Sequence, residues 1–162
     1  MFRLTGRDYP PAKLSHASLI IIDAQKEYLS GPLALSGMDE AVANIARLLD
    51  AARKSGRPII HVRHLGTVGG RFDPQGPAGQ FIPGLEPLEG EIVIEKRMPN
   101  AFKNTQLHET LQALGHLDLI VCGFHEPLQR QHHGTPRQGP MVTAAPWWKT
   151  LRRPATWHSR IG

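Results

Sequence analysis

Short β-branched apolar runs alternate with segments of helical periodicity along residues 18–122. The four runs are rich in Ile, Leu and Val, and their length suits strands that are buried on both faces. They span residues 18–23, 58–63, 91–95 and 117–122. Two segments between them, 38–54 and 107–114, carry apolar side chains at helical spacing, and each is followed by a glycine that ends a helix. This alternation predicts an α/β fold with a parallel sheet and right-handed crossovers.

Polar residues stand at the ends of these predicted strands. Ligands of parallel sheets gather at the carboxyl ends of the strands, which singles out Asp23, His64, Lys96 and the region of Gly123. A carboxylate and an ammonium group at one edge can hold a proton acceptor ionised and lower the pKa of a nearby thiol. The same spacing is also compatible with a structural ion pair between Asp23 and Lys96.

Charge divides the chain into two parts. Residues 1–124 hold 13 basic and 13 acidic side chains, whereas residues 125–162 hold six basic side chains and one acidic. The whole net charge of +5 therefore belongs to the second part, which also holds all three tryptophans and five of the 14 prolines. We predict a domain over 1–124 and a separate basic tail over 125–162.

Four motifs in order resemble the isochorismatase-like cysteine hydrolases. The first is an apolar strand that ends in Asp-Ala-Gln with a tyrosine beyond it, and the second is a lysine followed by Asn-Ala-Phe. A helix that begins after Asn-Thr and a strand that ends in Cys-Gly complete the set. They lie at 19–28, 95–102, 104–115 and 119–123. The resemblance covers residues 15–124.

The resemblance implies a Rossmann-like three-layer α/β/α sandwich and an Asp-Lys-Cys triad. Asp23 would be the general base and Lys96 would stabilise the thiolate and developing negative charge. The family hydrolyses small amide, other C–N or vinyl-ether substrates without a cofactor, and its members usually assemble as homo-oligomers. Four further residues would line the pocket for the small-molecule substrate: Gln25, Tyr28, His64 and Phe102.

The nucleophile is where the chain departs from the family pattern. Gln129 stands at the nucleophile position, and Cys122 is the only cysteine. Because Cys122 precedes the glycine inside a strand, we predict that it is a small buried hydrophobic residue. The chain is therefore predicted to have little or no covalent catalysis. The alternatives are a non-catalytic binding or scaffold member of the family, or a non-functional gene product.

The tail lacks the helix and strands that a family member needs after residue 124. Five prolines interrupt every candidate helix. Back-translation in the other reading frames permits family-like helix and strand sequences, which leads to the hypothesis of two frame shifts near codons 125 and 140. A basic segment with tryptophans also suits RNA or single-stranded nucleic acid, but it matches no known binding module, so we expect no nucleic-acid partner.

Metal, membrane and export functions are not expected. His61 and His64 are three apart on a strand, so their side chains leave opposite faces and suit one ion poorly. The adjacent His132 and His133 are interpreted as a product of the shifted frame. The longest apolar run, Leu19–Ile22, is too short to span a bilayer, and residues 1–17 lack a signal-peptide pattern. A single cysteine suits the cytoplasm.

Overall fold

The computed structural model describes residues 16–35, 37–115 and 118–124, together with the backbone of 141–146. Five strands and three helices follow one another in this part of the chain, with a 3-10 turn at Pro77–Gly79. In chain order they are β1 (Ala17–Ile22), α1 (Glu27–Ser30), α2 (Met38–Lys54), β2 (Ile59–His64), β3 (Ile92–Lys96), α3 (Leu107–Leu114), β4 (Asp118–Gly123) and β5 (Met141–Pro146). None of the helices in the described ranges is long and apolar enough to cross a membrane.

The strands form one sheet in the order β3-β2-β1-β4-β5. The first four are parallel, and β1 lies between β2 and β4. The predicted parallel α/β sheet is therefore confirmed. β5 pairs with β4 in the antiparallel direction, so residues 141–146 add a strand that the sequence analysis did not predict. Gln129, His132 and His133, about which the sequence analysis made predictions, lie outside the described residues.

Side chains alternate between the two faces of the sheet, as the period of two in a strand requires. On one face, Leu19 and Ile21 pack with the apolar side of α2, which includes Ile45 and Leu49. On the other face, Ile20 packs with the apolar side of α3 and with neighbouring strands. Helices thus cover both faces, and this confirms the three-layer sandwich.

Strand boundaries differ by one residue from those predicted at the carboxyl end. β2 ends at His64 and β3 at Lys96, so both residues are the last of their strands and pair with each other in register. Asp23 follows β1, and the pairing of Ile22 with Gly123 places the end of β4 beside it. Three parallel strands and the end of a fourth therefore present these positions at one edge of the sheet.

A buried polar cluster ties α2 to β2 and to the start of β3. The Glu91 carboxylate accepts hydrogen bonds from Arg53 Nε at 2.7 Å, Arg53 Nη2 at 3.0 Å and the Leu88 N–H at 3.0 Å. His61 Nε2 lies 2.8 Å from Glu91 Oε2. Burial alone would raise the pKa of Glu91, but these hydrogen bonds outweigh it and lower the pKa to about 2.

Candidate active site

Asp23 occupies a left-handed backbone conformation directly after β1, with φ 55°. Its N–H donates to the Val62 carbonyl at 2.7 Å, and its own carbonyl accepts from the Gln25 N–H at 2.8 Å. Aspartate tolerates this conformation better than most residues. The backbone therefore leaves the strand at Asp23, and the residue is held at the edge of the sheet while only 4% exposed.

Lys96 forms a buried ion pair with Asp23. Its Nζ lies 2.7 Å from Asp23 Oδ2, and neither side chain is more than 6% exposed. The same ammonium donates to the Pro99 carbonyl at 3.2 Å. Since β2 separates β1 from β3, the lysine side chain spans the end of β2 to reach the carboxylate. The pair places a carboxylate and an ammonium group in direct contact in a region from which water is largely excluded.

Gly123 allows β4 to approach the Asp23 edge closely. Its φ is +146°, and a Cβ at this position would lie 2.0 Å from the Ile22 carbonyl oxygen. The next residue, Phe124, donates its N–H to that same carbonyl at 3.0 Å. Only glycine fits this contact, so β4 packs directly against the end of β1, the strand that Asp23 follows.

Gln25 fixes the backbone around the candidate site. Its Nε2 donates to the carbonyls of His64, at 2.9 Å, and Gly79, at 2.8 Å, and its Oε1 accepts from the His64 N–H at 2.8 Å. The residue is fully buried. These three bonds use most of the hydrogen-bonding capacity of the side-chain amide. Gln25 therefore positions His64 and the 3-10 turn through backbone contacts.

Aromatic rings form a wall near His64. Tyr28 contacts Phe72 edge-on with ring centroids 5.5 Å apart, and it contacts Phe124 at 5.9 Å. His64 and Phe72 rings lie 4.9 Å apart. The sequence analysis named Tyr28 and His64 as candidates but did not name Phe72 or Phe124, whose rings contact them. The one signal for Phe72 is a lone aromatic residue in a stretch rich in Gly and Pro.

His64 is held neutral by its surroundings. Burial lowers the pKa of its imidazole, and the positive charge of Lys96 lowers the pKa further. A neutral imidazole offers one donor and one acceptor nitrogen. It can therefore hydrogen-bond a bound molecule without adding charge to the site.

Phe102 does not join this wall. It is half-buried and packs against the cluster beneath α3, whereas Tyr28, Phe72 and Phe124 belong to the cluster beneath α2. Its backbone N–H donates to Asn100 Oδ1 at 2.9 Å, which stabilises the turn after Lys96. The structure therefore places Phe102 and Tyr28 in different hydrophobic clusters.

Cys122 is a buried strand residue, as predicted. It is fully inaccessible within β4, and burial raises the pKa of its thiol to about 12. A thiol with this pKa forms almost no thiolate at neutral pH. Among the described residues, no group of three or more His, Cys, Asp or Glu side chains could hold a metal ion.

A family model for the isochorismatase domain matches residues 17–127, which include the Asp23–Lys96 pair. The chain belongs to the isochorismatase family. It is 39% identical over 110 residues to the uncharacterized isochorismatase family protein YddQ of Bacillus subtilis, a match that covers 66% of this chain and 61% of YddQ. The ureidoacrylate amidohydrolase RutB of Stutzerimonas stutzeri is 28% identical over 75% of this chain and 64% of its own length.

The fold also matches the crystal structure of an isochorismatase from Pseudomonas putida KT2440. The TM-score is 0.73 and the identity is 98%, over 76% of this chain and 63% of that one. The chain thus spans about three-fifths of the length of the relatives it matches.

Proposed function

We propose that Asp23 and Lys96 form the proton-handling centre of a site that hydrolyses small amide, other C–N or vinyl-ether substrates. The observation that carries this proposal is the buried 2.7 Å ion pair at the carboxyl edge of a parallel sheet. Membership of a hydrolase family supports it. The amidohydrolase named among the relatives supports the amide class in particular.

Each group of the site has a role that follows from its surroundings. Asp23 is kept ionised by Lys96 and accepts a proton from the attacking group, or delivers one to the leaving group afterwards. Lys96 stabilises negative charge as it develops, because its ammonium is fixed and desolvated before the reaction. Neutral His64 and the Tyr28–Phe72 rings bound the space beside this pair.

This chain as written lacks the third member of the proposed triad. Its sequence holds one cysteine, and that cysteine is buried in β4 with a raised pKa. By resemblance the nucleophile position falls on Gln129. We therefore propose that the chain retains the proton-handling pair without thiol-dependent turnover, and that it acts as a binding member of the family.

The change in charge balance after residue 124 supports the proposed frame shifts. The chain is 98% identical to the Pseudomonas putida isochorismatase over 76% of its length, and its charge balance changes after residue 124. A change of reading frame produces both features at once. Sequencing the source DNA across codons 120–162 tests this directly: single-base differences near codons 125 and 140 are expected, and an unaltered sequence would refute the hypothesis.

The catalytic proposal is tested with the 162-residue chain and a panel of primary amides and ureido acids, with ammonia release as the readout. No thiol-dependent release is expected, and iodoacetamide should not label the folded protein in a 1:1 ratio. Substantial turnover that is lost in Cys122→Ala would overturn the assignment of the nucleophile. If sequencing yields a longer frame, its product should release ammonia, and Asp23→Asn should reduce kcat by about a thousandfold.

We also propose a setting for the protein. The balanced charge of residues 1–124 supports a protein that acts on a small molecule without a nucleic-acid partner, and the single cysteine supports a cytoplasmic location. Homo-oligomerisation is proposed by family analogy. Light scattering on the purified chain measures the oligomeric state. Binding of single-stranded RNA at low salt would contradict the proposal that the protein has no nucleic-acid partner.

A further inference from the structure

A cavity of about 340 Å³ lies at the outer edge of the sheet, beside the ends of β2 and β3. This volume falls in the range of sites for small molecules. Lys96 does not line the cavity, because its side chain is buried against Asp23. The cavity is therefore distinct from the ion pair. Its lining consists of Leu65, Glu95, Arg97, Met98, Lys103 and Asn104.

The cavity carries an uncompensated positive charge. The Glu95 carboxylate is already paired with the Arg63 guanidinium, which contacts it through both Nε and Nη2. Arg97 and Lys103 form no ion pair with any acid in the ranges 16–35, 37–115 and 118–124. Two cations therefore face a small cavity whose only carboxylate is neutralised.

The loop that presents these cations is held by its own hydrogen bonds. The Lys103 N–H donates to the Asn100 carbonyl at 3.2 Å, and Thr105 Oγ1 donates to the Ala101 carbonyl at 2.6 Å. Asn104 is in a left-handed conformation, with φ 57°. Because the backbone is fixed before any ligand arrives, less conformational entropy is lost on binding.

We propose that this cavity binds a small organic carboxylate that carries a short apolar group. Arg97 offers a planar fork of donors that matches a carboxylate, and Lys103 adds a second charge. The Asn104 amide supplies a neutral donor. Leu65 and Met98 provide apolar surface for the rest of the ligand. This inference does not depend on the proposed hydrolysis, because the binding it describes requires no turnover.

The test is a titration of the ¹⁵N-labelled 162-residue chain with butyrate, followed by amide chemical shifts. Saturable shifts are expected at the cavity and not around Asp23. Butyramide, which has the same shape without charge, should produce no saturable shift. Inorganic phosphate, which has charge without an apolar group, should bind more weakly than butyrate. The amides expected to respond are those of Leu65, Arg97, Met98, Lys103 and Asn104.

Substitutions test whether Arg97 and Lys103 supply the positive charge that binds butyrate. The double substitution Arg97→Gln and Lys103→Gln should weaken butyrate binding by about tenfold or more, since it removes two charge-assisted contacts. Lys54→Gln is the matched control, because Lys54 is an exposed basic residue on α2 that pairs with Asp50. Its affinity for butyrate should stay within about twofold of the unsubstituted chain.

Several results would overturn the proposal. These are absence of saturable butyrate binding, equal binding by the double variant, and binding of butyramide or phosphate as tight as that of butyrate. Shifts centred on Asp23 would also overturn it, since they would place the carboxylate on the ion pair. Failure of the hydrolysis proposal leaves all of these measurements unaffected, so the two ideas are tested separately.

Discussion

Replacing Glu91 with Gln removes the charge that joins α2 to the sheet while keeping the shape of the side chain. The carboxylate is 10% exposed and accepts hydrogen bonds from Arg53 and the Leu88 N–H, with His61 Nε2 at 2.8 Å. Its pKa falls from an ordinary value of 4.5 to about 2. At 1.36 kcal/mol for each pKa unit, this fall corresponds to about 3 kcal/mol of stability at neutral pH.

The pH dependence follows from the direction of the pKa change. A carboxyl group whose pKa is lowered by folding contributes its full stability above pH 4.5 and loses it as the pH falls towards 2. We therefore expect Glu91→Gln to lower the free energy of unfolding by about 2–3 kcal/mol at pH 5.5. The difference between the two proteins should shrink as the pH falls to 3.

Urea unfolding followed by far-UV circular dichroism measures this at pH 5.5, 4 and 3. Glu95→Gln is the control, because its carboxylate also pairs with an arginine but is 47% exposed. The control should lose less than about 1 kcal/mol. If Glu91→Gln costs as little as Glu95→Gln, or costs the same amount at every pH, the argument from the pKa of Glu91 is refuted.

Three further predictions concern the edge where the candidate site lies. Gly123→Ala should lower the free energy of unfolding by about 3–5 kcal/mol, because strain and the contact with the Ile22 carbonyl add together. Lys96→Met should cost about 3–5 kcal/mol by removing the ammonium group that pairs with the buried Asp23 carboxylate, and Asp23→Asn in the same chain should restore part of that loss. Cys122 should react with a thiol reagent at pH 8 only after urea unfolds the protein.

These three predictions have their own controls. Gly56→Ala also replaces a glycine with positive φ, but its Cβ would meet nothing within 4 Å, so it should cost about 1–2 kcal/mol. An equal loss for both glycines would contradict the role of the Ile22 contact. Additive losses in the Lys96–Asp23 double variant would contradict the ion pair. Rapid labelling of Cys122 in the folded protein would contradict its burial.

The sequence predicts the sheet well because the strand signals are local. Ile20 and Ile21 lie in a β-branched run that is buried on both sides. The parallel direction of the strands follows from their alternation with helices. Boundaries shift by a residue because pairing with a neighbouring strand, which extends β3 to Lys96, is not encoded locally. α1 is only four residues long and gives too short a pattern to detect.

The candidate site is predictable only in part. Asp23 and Lys96 could be placed at one edge because each stands at the end of a predicted strand. The partners of Gln25 could not, because its hydrogen bonds reach His64 and Gly79, and Gly79 lies 54 positions away in a loop without periodicity. The contact between Phe72 and Tyr28 could not be predicted either, because it depends on how the same loop folds back against Tyr28.

The position of β1 has a consequence for synthesis of the chain. β1 is the first strand to leave the ribosome, but it pairs on one side with β4, which is made roughly a hundred residues later. Until then one row of its backbone N–H and C=O groups is open to other chains. The nascent protein therefore exposes an Ile-rich strand until β4 has been synthesised. This exposure favours cotranslational aggregation.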